Sequence, residues 1–199
     1  MMARERNRNI YPGATLALLA LCQPLLEQHM ALHMGVELPA LFAIGWWASV
    51  SHAPALWLRR INSNGLTGLS VASVVSAMWM LPIALDAAVT SPWIGFVKVA
   101  SVLGAGWLAR CSMREASVAI QAFFIMSWGW MTGTVGVLYQ NASERLCSTY
   151  LEGEQRLAGV CLVVLAILAV LTWMLAAFCE REVAAPTSPP AYPPCPGQR

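Results

Sequence analysis

Two histidines, each followed directly by a methionine, are the residues of this chain best suited to bind a metal ion. His29 and His33 lie four positions apart, with Met30 and Met34 next to them. On a helix, residues four apart lie on one face with their Cβ atoms about 6 Å apart. Imidazole nitrogen suits copper, zinc and iron, whereas thioether sulfur selects for Cu(I). The spacing therefore predicts a copper site with His29 and His33 as its primary ligands.

The composition indicates which class of protein carries these residues. Of the 199 residues, 58% are hydrophobic and 11% are charged, and the mean hydropathy is +0.59. A soluble domain has about 25% charged residues, so we predict a membrane protein that contacts the lipid bilayer. A formal net charge of +2 offers no basic surface for a nucleic acid. The chain has no G-x-S-x-G, H-E-x-x-H or phosphate-loop motif, and we predict that it is not an enzyme.

The elements that would position the histidines are apolar helices. About 20 mainly apolar residues are needed to cross a bilayer as a helix. Six segments meet this requirement: Tyr11–Gly35, Glu37–Leu58, Leu66–Ala88, Pro92–Cys111, Arg114–Tyr139 and Gln155–Cys179. The predicted fold is all-α, a polytopic membrane bundle of about six transmembrane helices over residues 11–182. A basic N-terminal tail (1–10) precedes the bundle, and an extended, proline-rich tail (183–199) follows it.

The distribution of arginines predicts the orientation of these helices. With the N-terminus inside, nine arginines fall in inner segments, namely Arg4, Arg6, Arg8, Arg59, Arg60, Arg110, Arg114, Arg181 and Arg199. The outer segments contain Arg145 and Arg156. Because the cytoplasmic loops of membrane proteins carry an excess of basic residues, we predict that both termini are cytoplasmic.

Several methionines share the membrane depth of the two histidines under this topology. Met78 and Met80 lie in the outer half of the third predicted helix, and Met131 lies in the outer half of the fifth. Methionine also fills gaps in helical cores, so packing is an alternative role for these three residues. One helix cannot supply a complete set of ligands, so neighbouring helices must contribute. The predicted Cu(I) ligand set is His29, His33, Met30, Met34, Met78 and Met80.

Other ionisable residues within the predicted helices allow a different function. Lys98 lies in the fourth predicted helix, where it would extend outward to the interface or, less favourably, pair with Asp86 across a short loop. His52 lies near the inner end of the second predicted helix, too far away to join the outer histidines. A small transporter using Glu27, His29 and Lys98 is one alternative, although the chain shows no internal repeat.

Two further patterns concern packing. Gly129, Gly133 and Gly136 lie in the fifth predicted helix, and such small residues predict close contact with a neighbouring helix. The six cysteines include no C-x-x-C pair, so we interpret them as small hydrophobic residues rather than as metal ligands.

Short motifs in three parts of the chain resemble a known family. Gln28-His29-Met30 through His33-Met34, followed by Glu37-Leu38-Pro39, resembles the QHM helix of the CtaG-type cytochrome c oxidase assembly factors. Glu154-Gln155-Arg156-Leu157-Ala158-Gly159 is similar to the DQ-x-x-x-G motif at the start of a late span in that family, with glutamate in place of aspartate. Trp79-Met80-Leu81-Pro82 is compatible with an intermediate span of the family.

This resemblance implies a bacterial inner-membrane protein that helps to deliver copper to the oxidase from the periplasmic side. It supports His29 and His33 as ligands and marks Glu154 and Gln155. The expected partner is a membrane protein complex, either an oxidase subunit or another copper enzyme. The main alternative is a non-catalytic accessory subunit of a membrane complex, in which the polar residues only pack against partners.

Overall fold

The computed structural model describes residues 29–49, 60–142 and 152–184, together with Thr15 and Leu26. Within these ranges the elements are all helical, which confirms the all-α prediction for this part of the chain. Most of the first predicted helix, both tails apart from Val183 and Ala184, and the residues Glu27, His52 and Cys147 lie outside the described residues.

The described chain forms seven α-helices and one π-helical turn. In order these are α1 (Met30–Leu32), the π-helical turn (His33–Glu37), α2 (Leu38–Ala48), α3 (Leu66–Trp79), α4 (Pro82–Thr90), α5 (Pro92–Glu115), α6 (Val118–Asn141) and α7 (Glu152–Ala184). Helix α5 packs against α2, α3 and α4, whereas α6 and α7 pack against each other along most of their lengths. Helix α1 and the π-helical turn pack against α7 and so join the two groups.

Three of these helices, α5, α6 and α7, are long and apolar enough to cross a membrane. A fourth span results if α3 and α4 are counted as one bent pair. The three long helices match the fourth, fifth and sixth predicted segments with end shifts of a few residues. Six spans are therefore not confirmed by the part of the chain that the structure describes.

The third predicted helix, Leu66–Ala88, is not a single straight helix. It ends at Trp79 and resumes at Pro82, with a bend of 75° between α3 and α4. Leu81 has φ −77° and ψ 130°, an extended conformation, because a residue before proline is disfavoured in the α-helical region. Pro82 itself begins α4, where its missing N–H costs no hydrogen bond.

The boundary between the first two predicted helices is also different from the expectation. We expected a break near Gly35, but the chain is extended at His29 (φ −121°, ψ 122°) and helical from Met30 to Ala48. The N–H of Leu38 donates to the carbonyl of His33, five residues back. This wider turn lets the helix continue past Pro39, which has no N–H to donate to the carbonyl four residues back.

Glycines permit the two closest helix contacts. A Cβ added to Gly106 on α5 would overlap the backbone carbonyl of Phe42 on α2. On α6 and α7, a Cβ on Gly136 would lie 2.6 Å from the carbonyl oxygen of Gly159, and the reverse contact would be 2.5 Å. Gly129 also packs against α7, whereas an added Cβ on Gly133 would meet no atom within 4 Å. The predicted small-residue contact is thus confirmed at two of its three positions.

Candidate functional site

Three methionines, two from the helical stretch 30–37 and one from the break after α3, belong to one buried core group. Met30, Met34 and Met80 are 0%, 1% and 8% exposed and belong to the same core group. We call these three residues the methionine cluster. Met131 of α6 and Cys161 of α7 pack against this core group and are partly buried. Met80 and Met131, which we predicted to lie at the same membrane depth as the histidines, therefore belong to the same core region as Met30 and Met34.

Two predicted ligands lie away from the methionine cluster. Met78 is 40% exposed and is outside that core group. The side chain of His29 is 57% exposed, and its Nδ1 lies 2.6 Å from Glu154 Oε1. His29 is the N-cap of the first helix, and its carbonyl accepts the N–H of His33 at 3.0 Å. The two side chains contact different carboxylates, Glu154 for His29 and Glu37 for His33, and the pairing of the two imidazoles on one ion stays a prediction.

A buried network of ionisable side chains adjoins the methionine cluster along the chain. Lys98 Nζ of α5 lies 2.7 Å from Glu37 Oε1 in the π-helical turn. The other carboxylate oxygen, Glu37 Oε2, lies 3.2 Å from His33 Nδ1. The side chains of His33 and Lys98 are fully buried, and that of Glu37 is 3% exposed. We call these three residues the charge triad.

The triad corrects the expectation that Lys98 extends outward to the interface. Its ammonium group is buried and contacts Glu37 in the π-helical turn, whereas its pairing with Asp86 stays a prediction. A lysine buried in an apolar bundle is retained as an ion only when a counter-charge compensates for its lost hydration. The sequence shows an isolated lysine within an apolar helix and a glutamate four residues after His33, but nothing in the sequence pairs the two.

Hydrogen bonds fix the chain break that carries Met80. The hydroxyl of Tyr139 on α6 donates to the Met80 carbonyl oxygen at 2.8 Å. The Thr132 hydroxyl lies 3.8 Å from the Met80 sulfur. Gln155 Nε2 on α7 donates to the Tyr139 carbonyl at 3.2 Å. These contacts hold Met80 against α6. They also give a structural role to Gln155, which supports Tyr139 from α7 and which the sequence marked only through the family resemblance.

The Tyr139→Phe substitution tests this support for Met80. We expect it to lower the free energy of unfolding by about 1–2 kcal/mol, because a buried carbonyl at a helix break loses a hydrogen-bond donor. Thr172→Val on α7 is the matched control, since its exposed hydroxyl bonds within its own helix and its loss should cost less than about 0.5 kcal/mol. Equal losses in denaturation of the two detergent-solubilised variants would contradict the assigned role of Tyr139.

The donor atoms gathered here are mainly sulfur. Among the described residues, no three His, Cys, Asp or Glu side chains are placed to share a metal ion. The methionine cluster offers three thioether sulfurs, and His33 lies one residue before Met34 on the π-helical turn. Thioether sulfur with imidazole suits a soft monovalent cation such as Cu(I). The chemistry that this arrangement supports is reversible binding of such an ion.

The transporter alternative relied on Glu27, His29 and Lys98. Glu27 lies outside the described residues. His29 and Lys98 contact different carboxylates, Glu154 and Glu37 respectively. That alternative therefore stays a prediction.

The segments that carry His29, Met80 and Glu154–Gln155 are linked to one another at this site. The first and last segments are joined by the contact of His29 with Glu154. The middle segment is joined to the last through Met80, Tyr139 and Gln155. No family model, no curated protein and no solved structure significantly matches the chain.

Proposed function

We propose that this protein binds Cu(I) in a membrane and assists the delivery of copper to a respiratory cytochrome c oxidase or another membrane copper enzyme. The observation that supports this proposal is that Met30, Met34 and Met80 belong to one buried core group, and that Met30 and Met34 lie on the same helical stretch as the buried His33. We further propose a location in the bacterial inner membrane with both termini in the cytoplasm, following the arginine distribution and the family resemblance.

The proposed ligands differ in part from those expected from the sequence. The thioethers of Met30, Met34 and Met80 provide soft donors, and the imidazole of His33 lies in the same helical stretch. His29, which we expected to be a primary ligand, instead lies with Glu154 at the exposed rim of the site. There it is suited to meet an arriving ion. Met78, at 40% exposure, is not part of the proposed set.

The type of donor fits a protein that passes its metal on. A delivery protein must hold Cu(I) selectively and still release it to a client. Uncharged thioethers select for Cu(I) through their softness and add no negative charge that would retain the ion. Methionine is also unbranched and flexible, so the ligands can move apart when copper leaves. Copper is in this proposal the cargo of the protein.

Copper binding to methionine variants tests the proposal. The protein, purified in detergent, is loaded anaerobically with Cu(I) and titrated against a competing chelator. We expect near-stoichiometric copper on the wild-type chain. The Met34→Leu/Met80→Leu variant should lose about two orders of magnitude in affinity, since the loss of each ligand removes on the order of 1.4 kcal/mol or more. Leucine conserves side-chain volume, so the fold should tolerate both changes.

A second methionine pair provides the matched control. Met126 and Met174 lie together at a different surface of α6 and α7, so the Met126→Leu/Met174→Leu variant should bind copper like the wild type. Equal background copper on all three proteins would contradict the proposal. That result would favour the accessory-subunit alternative, which predicts a co-purifying membrane complex whose assembly, but not metal content, depends on His29 and His33.

A further inference from the structure

The buried hydroxyl of Thr132 donates its hydrogen bond to a methionine sulfur. Thr132 lies on α6 and is completely buried, and its hydroxyl lies 3.8 Å from the Met80 sulfur. Thr90 and Thr172 also lie in helices, and their hydroxyls donate to carbonyl oxygens three and four residues back, as helical threonines commonly do. The Thr132 hydroxyl instead bonds across to the break between α3 and α4.

Stability alone does not explain this choice of acceptor. A buried hydroxyl is costly unless it is hydrogen bonded, and a thioether sulfur is only a weak acceptor. The carbonyl oxygen of Trp128, four residues earlier on α6, is a stronger acceptor of the kind that a helical threonine can reach. The hydrogen bond to Met80 therefore indicates a role for Thr132 at the sulfur itself.

The Met80 sulfur is also one of the donors in the proposed Cu(I) site. A thioether binds a metal by donating a lone pair, and a hydroxyl proton directed at the sulfur competes for that electron density. The positive end of the O–H dipole also repels a cation bound at the same atom. When an ion arrives, the carbonyl oxygen of Trp128 provides an alternative acceptor for the hydroxyl within α6.

We infer that the Thr132 hydroxyl occupies the Met80 sulfur in the empty site and is displaced when Cu(I) binds. This inference rests on the proposed function. Thr132 is a positioning residue, since it acts on the ion through Met80. No electron is transferred in this step: a sulfur lone pair forms the bond to Cu(I), the O–H···S hydrogen bond breaks, and the hydroxyl proton stays on its oxygen.

The displaced hydroxyl lowers the affinity for copper and promotes its release. Binding must break the contact between Thr132 and Met80, and the hydroxyl returns to the sulfur as the ion leaves. The hydrogen bond therefore stabilises the empty site relative to the loaded one. Such weakening suits a protein that passes its metal on, because it shortens the time for which the ion stays bound.

Removal of the hydroxyl should therefore tighten copper binding. Thr132→Val replaces the hydroxyl by a methyl group of similar size. The Cu(I) affinity of the detergent-purified variant, measured against a competing chelator, should rise about three- to fivefold, as expected for the loss of one weak hydrogen bond. Thr132→Ser keeps a hydroxyl and should bind copper like the wild type. Thr172→Val is the matched control, since its hydroxyl is exposed and bonds within α7.

The direction of the change separates this role from a purely structural one. Loss of a packing contact would disorder the site and weaken binding, whereas the inference predicts tighter binding and slower release of Cu(I) to the chelator. The gain should disappear when Thr132→Val is combined with Met80→Leu, because the competition takes place at the Met80 sulfur. Thr132→Ala also lacks the hydroxyl and carries the test if Thr132→Val does not yield folded protein.

The outcomes distinguish the inference from the proposed function. If Cu(I) binds the wild type and the Met34→Leu/Met80→Leu variant equally, the proposed function fails. If binding depends on these methionines but Thr132→Val and Thr132→Ala bind no more tightly than the wild type, the inference is overturned and the proposed function stands. A gain that persists in the Met80→Leu background also overturns the inference. A gain that requires Met80 and is absent from Thr132→Ser supports it.

Discussion

Replacing Lys98 with methionine should destabilise the protein by about 3–5 kcal/mol, the largest effect that we expect from a single substitution. The change removes the ammonium group that lies 2.7 Å from Glu37 Oε1 and leaves a carboxylate without its counter-charge inside the bundle. Glu37 is only 3% exposed, so water cannot replace the lost contact. The free energy of unfolding in detergent, measured by denaturant titration, provides the test.

The double variant distinguishes a charge effect from a packing effect. Glu37→Gln/Lys98→Met replaces the pair by uncharged side chains of similar size, and it should recover most of the loss caused by Lys98→Met. Arg156→Met is the control for loss of an exposed cation and should stay within about 0.5 kcal/mol of the wild type. Additive losses in the double variant would show that Lys98 and Glu37 are not coupled.

Replacing Gly106 with alanine should destabilise the protein by about 3 kcal/mol, because α5 would have to move away from α2. The added methyl group would overlap the backbone carbonyl of Phe42, and a backbone atom cannot rotate away as a flexible side chain could. Overpacking of this kind costs typically 1–3 kcal/mol or more. The same denaturant titration measures the loss.

Gly104 on the same helix is the matched control. An added Cβ at Gly104 would meet no atom within 4 Å. Alanine has a higher helix propensity than glycine, so Gly104→Ala should raise the free energy of unfolding by about 0.5–1 kcal/mol. The two substitutions should therefore have opposite signs. A loss of stability in both variants, or in neither, would refute the close contact of α2 with α5 at Gly106.

The helical class and the three long helices follow from the sequence alone. Helices α5, α6 and α7 begin and end within a few residues of the predicted segments, because the bilayer requires runs of about 20 apolar residues and such runs are a local property. The types and depths of Met30, Met34 and Met80 also predict that soft donors gather at one end of the bundle. These features depend on single segments, not on which segments become neighbours.

The sequence predicts where the apolar helices lie better than it predicts where a helix breaks. Both Pro39 and Pro82 lie within apolar segments, yet the chain turns by 75° at Pro82 and continues as a helix past Pro39. The two prolines differ because of the hydrogen bonds available to the backbone around each of them. A π-helical turn precedes Pro39, whereas at Pro82 the freed carbonyl of Met80 accepts a hydrogen bond from Tyr139, 59 positions along the chain.

The partners of the polar residues were decided only by the tertiary structure. The sequence places Lys98 in an apolar helix and Glu37 near a predicted helix end, 61 positions apart, and shows no reason why they should meet. They meet because α2 packs against α5 through Gly45 and Gly106. The side chain of His29 likewise meets Glu154, 125 positions along the chain. Hydropathy is read along a single segment, whereas the pairing of charges depends on which helices become neighbours.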